Sequence, residues 1–391
     1  MNSRLTRMCN FDDAVFFARR RLPPSIFQFL EGGTAQGRTV SENSEAFDQV
    51  TLHPRPATHY QTTELSTTVV GHETSLPLLL APMGGIRLAH QDGEAGVARA
   101  AGRAGIIQIV SGLTFTPIEE VLAAASGPVF FQLYLGGGRE ADQARIERVR
   151  KAGCKALVIT IDAPVLAPRD RPVRSRADMP VNPGLRSALR MIPQLARHLS
   201  WTYGFVRSRM PMQASMFLDS AGKPMTLIAA AEQMGAHPPV WSDLRWIREA
   251  WPGPMIIKGL LHADDARRAI DCGADAIIVS NHGGNALDGV RPAILALPEV
   301  VRAVGKEVEV LFDGGVRRAN DLVKALALGA RAVLLGRAYA WPFAAAGEHG
   351  ISRILDLFKT DLKTTLALMG CPAVSALESS YVSLRCGCCM R

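Results

Sequence analysis

The run Ser280-Asn281-His282-Gly283-Gly284-Asn285-Ala286-Leu287-Asp288-Gly289 follows Ala276-Ile277-Ile278-Val279 without a break. Four apolar, largely β-branched residues read as a strand buried on both faces. A histidine and two glycines at its carboxyl end sit where barrel enzymes keep their chemistry. The glycines let a substrate or cofactor come close to the backbone. One such strand end is weak evidence, because a histidine there is often only a hydrogen-bonded structural residue. The same arrangement recurs nearby. Ile256-Ile257-Lys258-Gly259 ends in a lysine, Val310-Leu311-Phe312-Asp313-Gly314-Gly315-Val316-Arg317 in an Asp-Gly-Gly turn, and Leu334-Leu335-Gly336-Arg337 in Gly-Arg. Helical stretches separate these runs, so the four polar ends are expected to gather on one face.

Upstream the alternation continues, giving strands at Leu76–Ala81, Ile106–Ser111, Val129–Tyr134, Ala156–Asp162, Met255–Gly259, Ala276–Asn281, Val308–Gly314 and Ala332–Arg337. Helical patterns such as Asp92–Ala104, Glu140–Lys151 and Asn320–Leu328 lie between them, with Gly153, Gly273 and Gly329 at expected helix ends. Eight β/α alternations predict a (β/α)8 TIM barrel over residues 76–370. Residues 1–75 read as an amino-terminal helical extension capping the barrel bottom or side. Residues 163–254 are a long insertion after strand four that overhangs the predicted active face. Its residues 170–210 interleave Arg171, Arg174, Arg176, Arg186, Arg190 and Arg197 with Leu185, Leu189, Ile192, Leu195 and Trp201. A lid is the first reading; a basic amphipathic patch for a membrane surface and a subunit contact are the others.

Composition narrows the function classes. With 48% hydrophobic residues the chain can bury a large core, and its net charge of +8 suits anionic ligands without any aromatic-interleaved basic motif for nucleic acid. No apolar run reaches the roughly 20 residues that span a bilayer, and Ala14-Val15-Phe16-Phe17 is too short for a secretory signal. Cys9, Cys154, Cys272 and Cys371 are scattered, so a reducing cytoplasm is expected, with a place at the inner face of the membrane as the alternative. Residues 371–391 read as a cysteine-containing tail; no histidine or second cysteine pair accompanies Cys386, Cys388 and Cys389, and no metal site is expected.

The spaced motifs, from about Phe11 to Gly370, resemble those of the FMN-dependent 2-hydroxy-acid oxidases and dehydrogenases. Ala81-Pro82-Met83 is similar to the segment that lays backbone against the flavin ring. Phe131-Gln132-Leu133-Tyr134 resembles a strand-three motif whose glutamine binds flavin and whose tyrosine faces substrate. Thr160-Ile161-Asp162 resembles the strand-four motif whose threonine reaches flavin and whose aspartate pairs with the catalytic histidine. The resemblance implies FMN as cofactor, His282 as base, Lys258 beside flavin N1, and Ser111 and Ser280 as further flavin contacts. It places Asp313, Gly314, Gly315, Arg317, Gly336 and Arg337 at the phosphate, and Arg169 and Tyr134 on substrate. It also implies a homo-oligomer. The chemistry agrees: a fixed ammonium stabilises a flavin gaining charge near N1, and glycine-rich turns after strands seven and eight form the usual barrel phosphate site. The electron acceptor stays open among oxygen, a quinone and a protein.

Three positions depart from the family pattern. Asn285 stands where an arginine usually grips the substrate carboxylate, Phe29 where a tyrosine commonly contacts it, and Leu113 where many members carry an aromatic. Asparagine offers one donor group and one acceptor and no charge, which suits an amide or carbonyl. Oxidation of a 2-hydroxy acid, or a related 2-hydroxy or 2-amino carbonyl compound, to the 2-oxo product is the expected activity. His-Gly-Gly-Asn and Trp241-Ser242-Asp243-Leu244-Arg245-Trp246 also resemble the branch containing pre-mycofactocin synthase, implying oxidative deamination of a peptide-derived lactam as the alternative. A catalytically weak flavin-binding scaffold is the third reading, against which His282, Asp162 and Lys258 all stand.

Overall fold

Short runs of Leu, Ile, Val and Phe whose side chains are buried on both faces close into one parallel barrel. The computed structural model describes residues 3–58, 64–165, 167, 170, 192–208 and 213–385. The barrel strands are β1 (Leu78–Leu80), β2 (Ile107–Ser111), β3 (Val129–Leu133), β4 (Leu157–Thr160), β5 (Met255–Leu260), β6 (Ala276–Val279), β7 (Glu309–Asp313) and β8 (Ala332–Leu335). They pair in sequence order, and β8 closes onto β1 with Val333 opposite Leu78. Every predicted strand is present, and most stop a residue or two before the predicted carboxyl end. The predicted ends include polar and glycine residues, such as Ser280-Asn281 and Gly336-Arg337, at which the chain leaves the sheet.

Side chains alternate between two layers, as the two-residue period of a strand requires. Leu79, Ile109, Phe130, Val158, Ile256, Ile278, Leu311 and Leu334 fill the barrel interior. Their neighbours, among them Leu80, Phe131, Ile257 and Phe312, pack outward against the helices. The interior is therefore a solid apolar plug, and chemistry is confined to its open upper end.

The amino-terminal segment differs from expectation. The barrel bottom is closed by a hairpin, Thr67–Val69 paired with His72–Thr74, rather than by helices. Val69 is fully buried in the interior cluster, and the Val70 N–H donates to Glu309 Oε2 at 2.9 Å. A hairpin tip can insert one apolar side chain into the small end of a barrel, which a helix is too wide to do. The helix Phe11–Arg21 lies along the barrel side against Arg337–Ala346, whereas Arg38–Glu45 reaches the active face beside the His282 turn.

The carboxyl-terminal boundary also needs correction. Residues 371–385 belong to the fold rather than to a tail: Cys371 is fully buried, Ala373 bridges Glu64, and Val382–Leu384 pairs antiparallel with Val50–Leu52. Burial of Tyr381 and Val382 supplies the reason. Cys386, Cys388 and Cys389 lie outside the described residues. Within the insertion, the helix Leu199–Arg207 is anchored by buried Trp201, whose indole N–H donates to the Leu88 carbonyl at 2.8 Å. The helix Leu227–Ala236 follows a short hairpin, Gln213–Leu218 with Pro224–Thr226, and Trp241–Ala250 completes the barrel wall. Its amino-terminal cap is Asp243, which accepts the Val240 N–H at 2.9 Å.

Candidate active site

Two residues beyond each interior apolar side chain, the same inward phase brings up a small or polar residue. The positions are Ala81, Ser111, Gln132, Thr160, Lys258, Ser280, Asp313 and Gly336, one from each of the eight strands or the turn that follows it. All but Gly336 are buried. Ala81, Lys258, Asp313 and Gly336 of this ring line an open cleft of about 210 Å³. Phe29, Pro82, Met83, Leu113, Tyr134, His282, Asn285, Gly314, Gly315, Arg317 and Arg337 contribute to its walls, and the insertion adds Val165, Ala167, Leu227 and Met234.

At one side the His282 ring is fixed at both nitrogens. Nδ1 lies 2.9 Å from Asp162 Oδ1, and Nε2 lies 3.2 Å from the Tyr134 hydroxyl. An ionised Asp162 can only accept, so Nδ1 carries the proton and Nε2 faces the cleft as an acceptor. Burial alone would raise the Asp162 carboxyl, but the electrostatic pull of His282 and Lys258 and the His282 hydrogen bond outweigh it and hold it below the ordinary value. Tyr134 is pushed the other way, by burial and by the Asp162 charge, and stays a protonated donor. Gly259 has φ +108 and abuts the Asp162 carboxyl, so a side chain there would displace the group that orients His282. His282 itself has φ +58, a left-handed backbone that an L-residue resists.

Lys258 sits at the centre, almost wholly buried. Its ammonium donates to Ser280 Oγ at 3.0 Å and pairs with Asp313 Oδ2 at 3.2 Å. Burial would lower its pKa, yet Asp313 and Asp162 more than compensate and keep it charged. Ser280 Oγ also accepts the His282 backbone N–H at 3.0 Å, tying the lysine to the histidine turn.

FMN fits the donors that remain. The Gln132 carbonyl oxygen is used by Ser111 Oγ at 3.1 Å and the Gly112 N–H at 3.3 Å. Gln132 Nε2 and Thr160 Oγ1 are buried with no partner among the described residues, which is what the acceptor atoms of a flavin ring require. At the phosphate end, a side chain at Gly336 would meet open space, whereas one at Gly315 would collide with the Asn43 carbonyl. Arg317 lines the cleft with its guanidinium 4.6 Å from the Phe11 ring centroid, and burial lowers its pKa to about 10, a penalty an anion would offset. Arg337 also lines the cleft; its guanidinium donates to the Glu31 carbonyl at 2.7 Å and the Gly283 carbonyl at 2.8 Å.

Other sequence expectations meet a different arrangement. Asn285 is at the cleft wall, but both ends of its amide serve the chain: Nδ2 donates to the His282 carbonyl at 3.0 Å, and Oδ1 accepts the Gly33 N–H at 2.9 Å. Arg169 lies outside the described residues. Sequence reasoning missed Thr39 and Asn43, buried polar residues one helical turn apart on Arg38–Glu45: Thr39 Oγ1 accepts the Gly289 N–H at 2.8 Å, and Asn43 bonds to Asn281, which precedes His282. Seven of the eight residues of that helix are polar, so nothing in its pattern singled these two out.

A closed parallel barrel that buries a lysine beside an aspartate-oriented histidine, with Gly314, Gly315 and Gly336 lining the same cleft, has the frame of a flavin oxidoreductase. The sequence pattern of the FMN-dependent dehydrogenase family matches residues 18–384. Over 375 residues the chain is 40% identical to pre-mycofactocin synthase of Mycobacterium tuberculosis, covering 95% of this chain and 93% of that one. It is 37% identical over 371 residues to L-lactate oxidase of Nostoc sp., covering 94% and 96%. The crystal structure of the monotopic membrane protein (S)-mandelate dehydrogenase superposes with a TM-score of 0.89 at 35% identity, covering 96% of this chain and 99% of that one. The chain belongs to the FMN-dependent dehydrogenase family and is an FMN-dependent oxidoreductase.

The depressed Asp162 carboxyl has a consequence for stability. A carboxyl held below its unfolded value, about 3.9, adds stability that is fully present above that value and is lost as pH falls through the folded one. Asp162→Asn is therefore expected to flatten the acid limb of a plot of urea midpoint against pH, below roughly pH 4. An acid limb identical to wild type would show that Asp162 is not held low.

Proposed function

We propose that the protein oxidises a carbon bearing a hydroxyl or amino group next to a carbonyl, converting a 2-hydroxy acid or a related 2-hydroxy or 2-amino carbonyl compound to its 2-oxo product. The observation that carries this reading is the line Asp162–His282–Tyr134, with Nε2 open to the cleft beside Lys258. A substrate hydroxyl placed between Nε2 and Tyr134 gives its proton to Nε2, and Asp162 stabilises the imidazolium that forms. Tyr134, kept protonated by burial, donates a hydrogen bond to a substrate oxygen. Bound FMN supplies the acceptor for the two electrons that leave the substrate carbon. Lys258, charged and buried, would hold the part of the cofactor that gains negative charge, and the turns at Gly314–Gly315 and Gly336 with Arg317 and Arg337 would hold its phosphate.

A second reading, oxidation of a neutral amide or lactam, is favoured by two observations. Asn285 brings no charge to the wall, and the groups around His282 and Tyr134 are apolar: Phe29, Leu113, Val165, Leu227 and Met234. A free carboxylate would be poorly solvated there unless Arg169 reaches it. The protein named pre-mycofactocin synthase, 40% identical, supports this branch.

The site also bears on surroundings. The helix Leu199–Arg207 exposes Leu199, Tyr203 and Val206, at 71%, 65% and 68%, along one face beside Arg207. None of the described helices is long and apolar enough to cross a membrane. A peripheral contact with an anionic membrane surface through residues 170–210 accounts for such a face.

Purified yellow protein, followed anaerobically, should bleach on addition of lactate, glycolate, mandelate or mandelamide, and His282→Ala with full flavin should lower that rate by about 10²–10⁴-fold. Undiminished bleaching in the variant would remove His282 as the base. Asn285→Arg is expected to raise turnover of lactate relative to mandelamide; an unchanged ratio would place the substrate-charge determinant elsewhere. The wild-type chain should co-sediment with anionic but not neutral liposomes, and Leu199→Ser with Val206→Ser should abolish this; indifference to both would leave the apolar face for a subunit contact.

A further inference from the structure

His282 occupies a backbone conformation that L-residues resist, so neighbouring contacts must hold it there. Downstream the contacts are evident: Thr34 N–H donates to the Gly284 carbonyl at 3.0 Å, and Asn285 spans the turn to Gly33. Upstream, the residue directly before His282 is buried Asn281, and a single side chain from outside the barrel grips it. Asn43 Nδ2 donates to Asn281 Oδ1 at 2.8 Å, and Asn281 Nδ2 donates to Asn43 Oδ1, also at 2.8 Å. Asn43 Oδ1 further accepts the Ala293 N–H at 3.3 Å, and Asn281 Nδ2 reaches the Arg291 carbonyl at 3.2 Å. The backbone of Asn43 touches a second functional turn, for its carbonyl occupies the place a side chain at Gly315 would need. One amino-terminal residue thus bonds to the strand end that carries the proposed base and packs on the turn proposed for phosphate.

We infer that Asn43 is a positioning residue for the reaction. Its reciprocal amide pair with Asn281 sets the place of the His282 imidazole relative to Asp162 and Tyr134. The inference rests on His282 being the base. A reciprocal pair needs a donor and an acceptor on each partner, and only an amide of this length supplies both. An aliphatic side chain would leave two buried amide atoms of Asn281 short of a partner, and an aspartate would set oxygen against oxygen. The bond acts on geometry, and displacement of a reacting group by about 1 Å lowers rates by about a hundredfold.

The test compares Asn43→Ala, the isosteric Asn43→Asp, His282→Ala and the double variant Asn43→Ala with His282→Ala as flavin-loaded enzymes. Flavin absorbance gives cofactor content, far-ultraviolet circular dichroism gives folding, and the substrate is whichever of lactate, mandelate or mandelamide bleaches the wild type. Each Asn43 variant should keep its fold and flavin, lose about 10–100-fold in kcat, and change KM by less than about threefold. The double variant should be no slower than His282→Ala, because Asn43 acts through that histidine. Wild-type kcat in Asn43→Asp, or a loss in the double variant beyond that of His282→Ala, would overturn the inference. If instead His282→Ala itself retains full turnover, it is the assignment of the base that fails. Should Asn43→Ala not fold, Asn43→Asp carries the same comparison.

Discussion

The burial of one ammonium group governs the arrangement of this active site. Lys258 projects into the top of an apolar barrel, where an unpaired charge would be expelled or neutralised. Asp313 at the end of β7 and Asp162 beyond β4 offset that charge, and Asp162 in turn meets His282. The four groups come from β7, β5, β4 and β6 or the turns that follow them. Counted with a neutral imidazole, two carboxylates and one ammonium leave one excess negative charge. A proton arriving on His282 removes it. Asp162 thus serves two neighbours, its charge helping to keep Lys258 ionised and its carboxylate accepting the hydrogen bond from His282 Nδ1.

Much of this could be read from the chain because strands have a period of two. Ile256 and Lys258, Ile278 and Ser280, Leu311 and Asp313 share a phase, so an interior apolar residue announces a polar one directly above it. The motifs that suggested FMN are this periodicity seen at strand ends. The barrel, its strand order and the meeting of Asp162 with His282 follow from it, although 120 residues separate the pair.

What escaped the sequence lacks such a period. The hairpin Thr67–Thr74 is too short to show alternation, so nothing in it announces that Val69 plugs the barrel. Asn285 looked like a substrate contact because its position in the chain is that of one, but hydrogen-bond partners depend on what folds over the turn. Here that is Gly33, from the amino-terminal extension. Composition likewise made the insertion a basic amphipathic stretch without saying that Trp201 would dock inward beneath the Leu88 carbonyl and leave Leu199 and Val206 outside.

The bond between Asn43 and Asn281 also spans time. The two residues are 238 positions apart. At synthesis rates of about 5–20 residues per second, the amino-terminal segment waits about 12–48 seconds on the ribosome before its partner is made. During that interval Thr34, Thr39 and Asn43 lack the long-range partners at residues 281–293, and the hairpin at Thr67–Thr74 has no barrel to close. The amino-terminal segment thus gains its contacts with the His282 turn only after that turn has been made. Only with those contacts made is the turn at His282 held from both sides, by Asn43 through Asn281 and by Gly33 through Asn285.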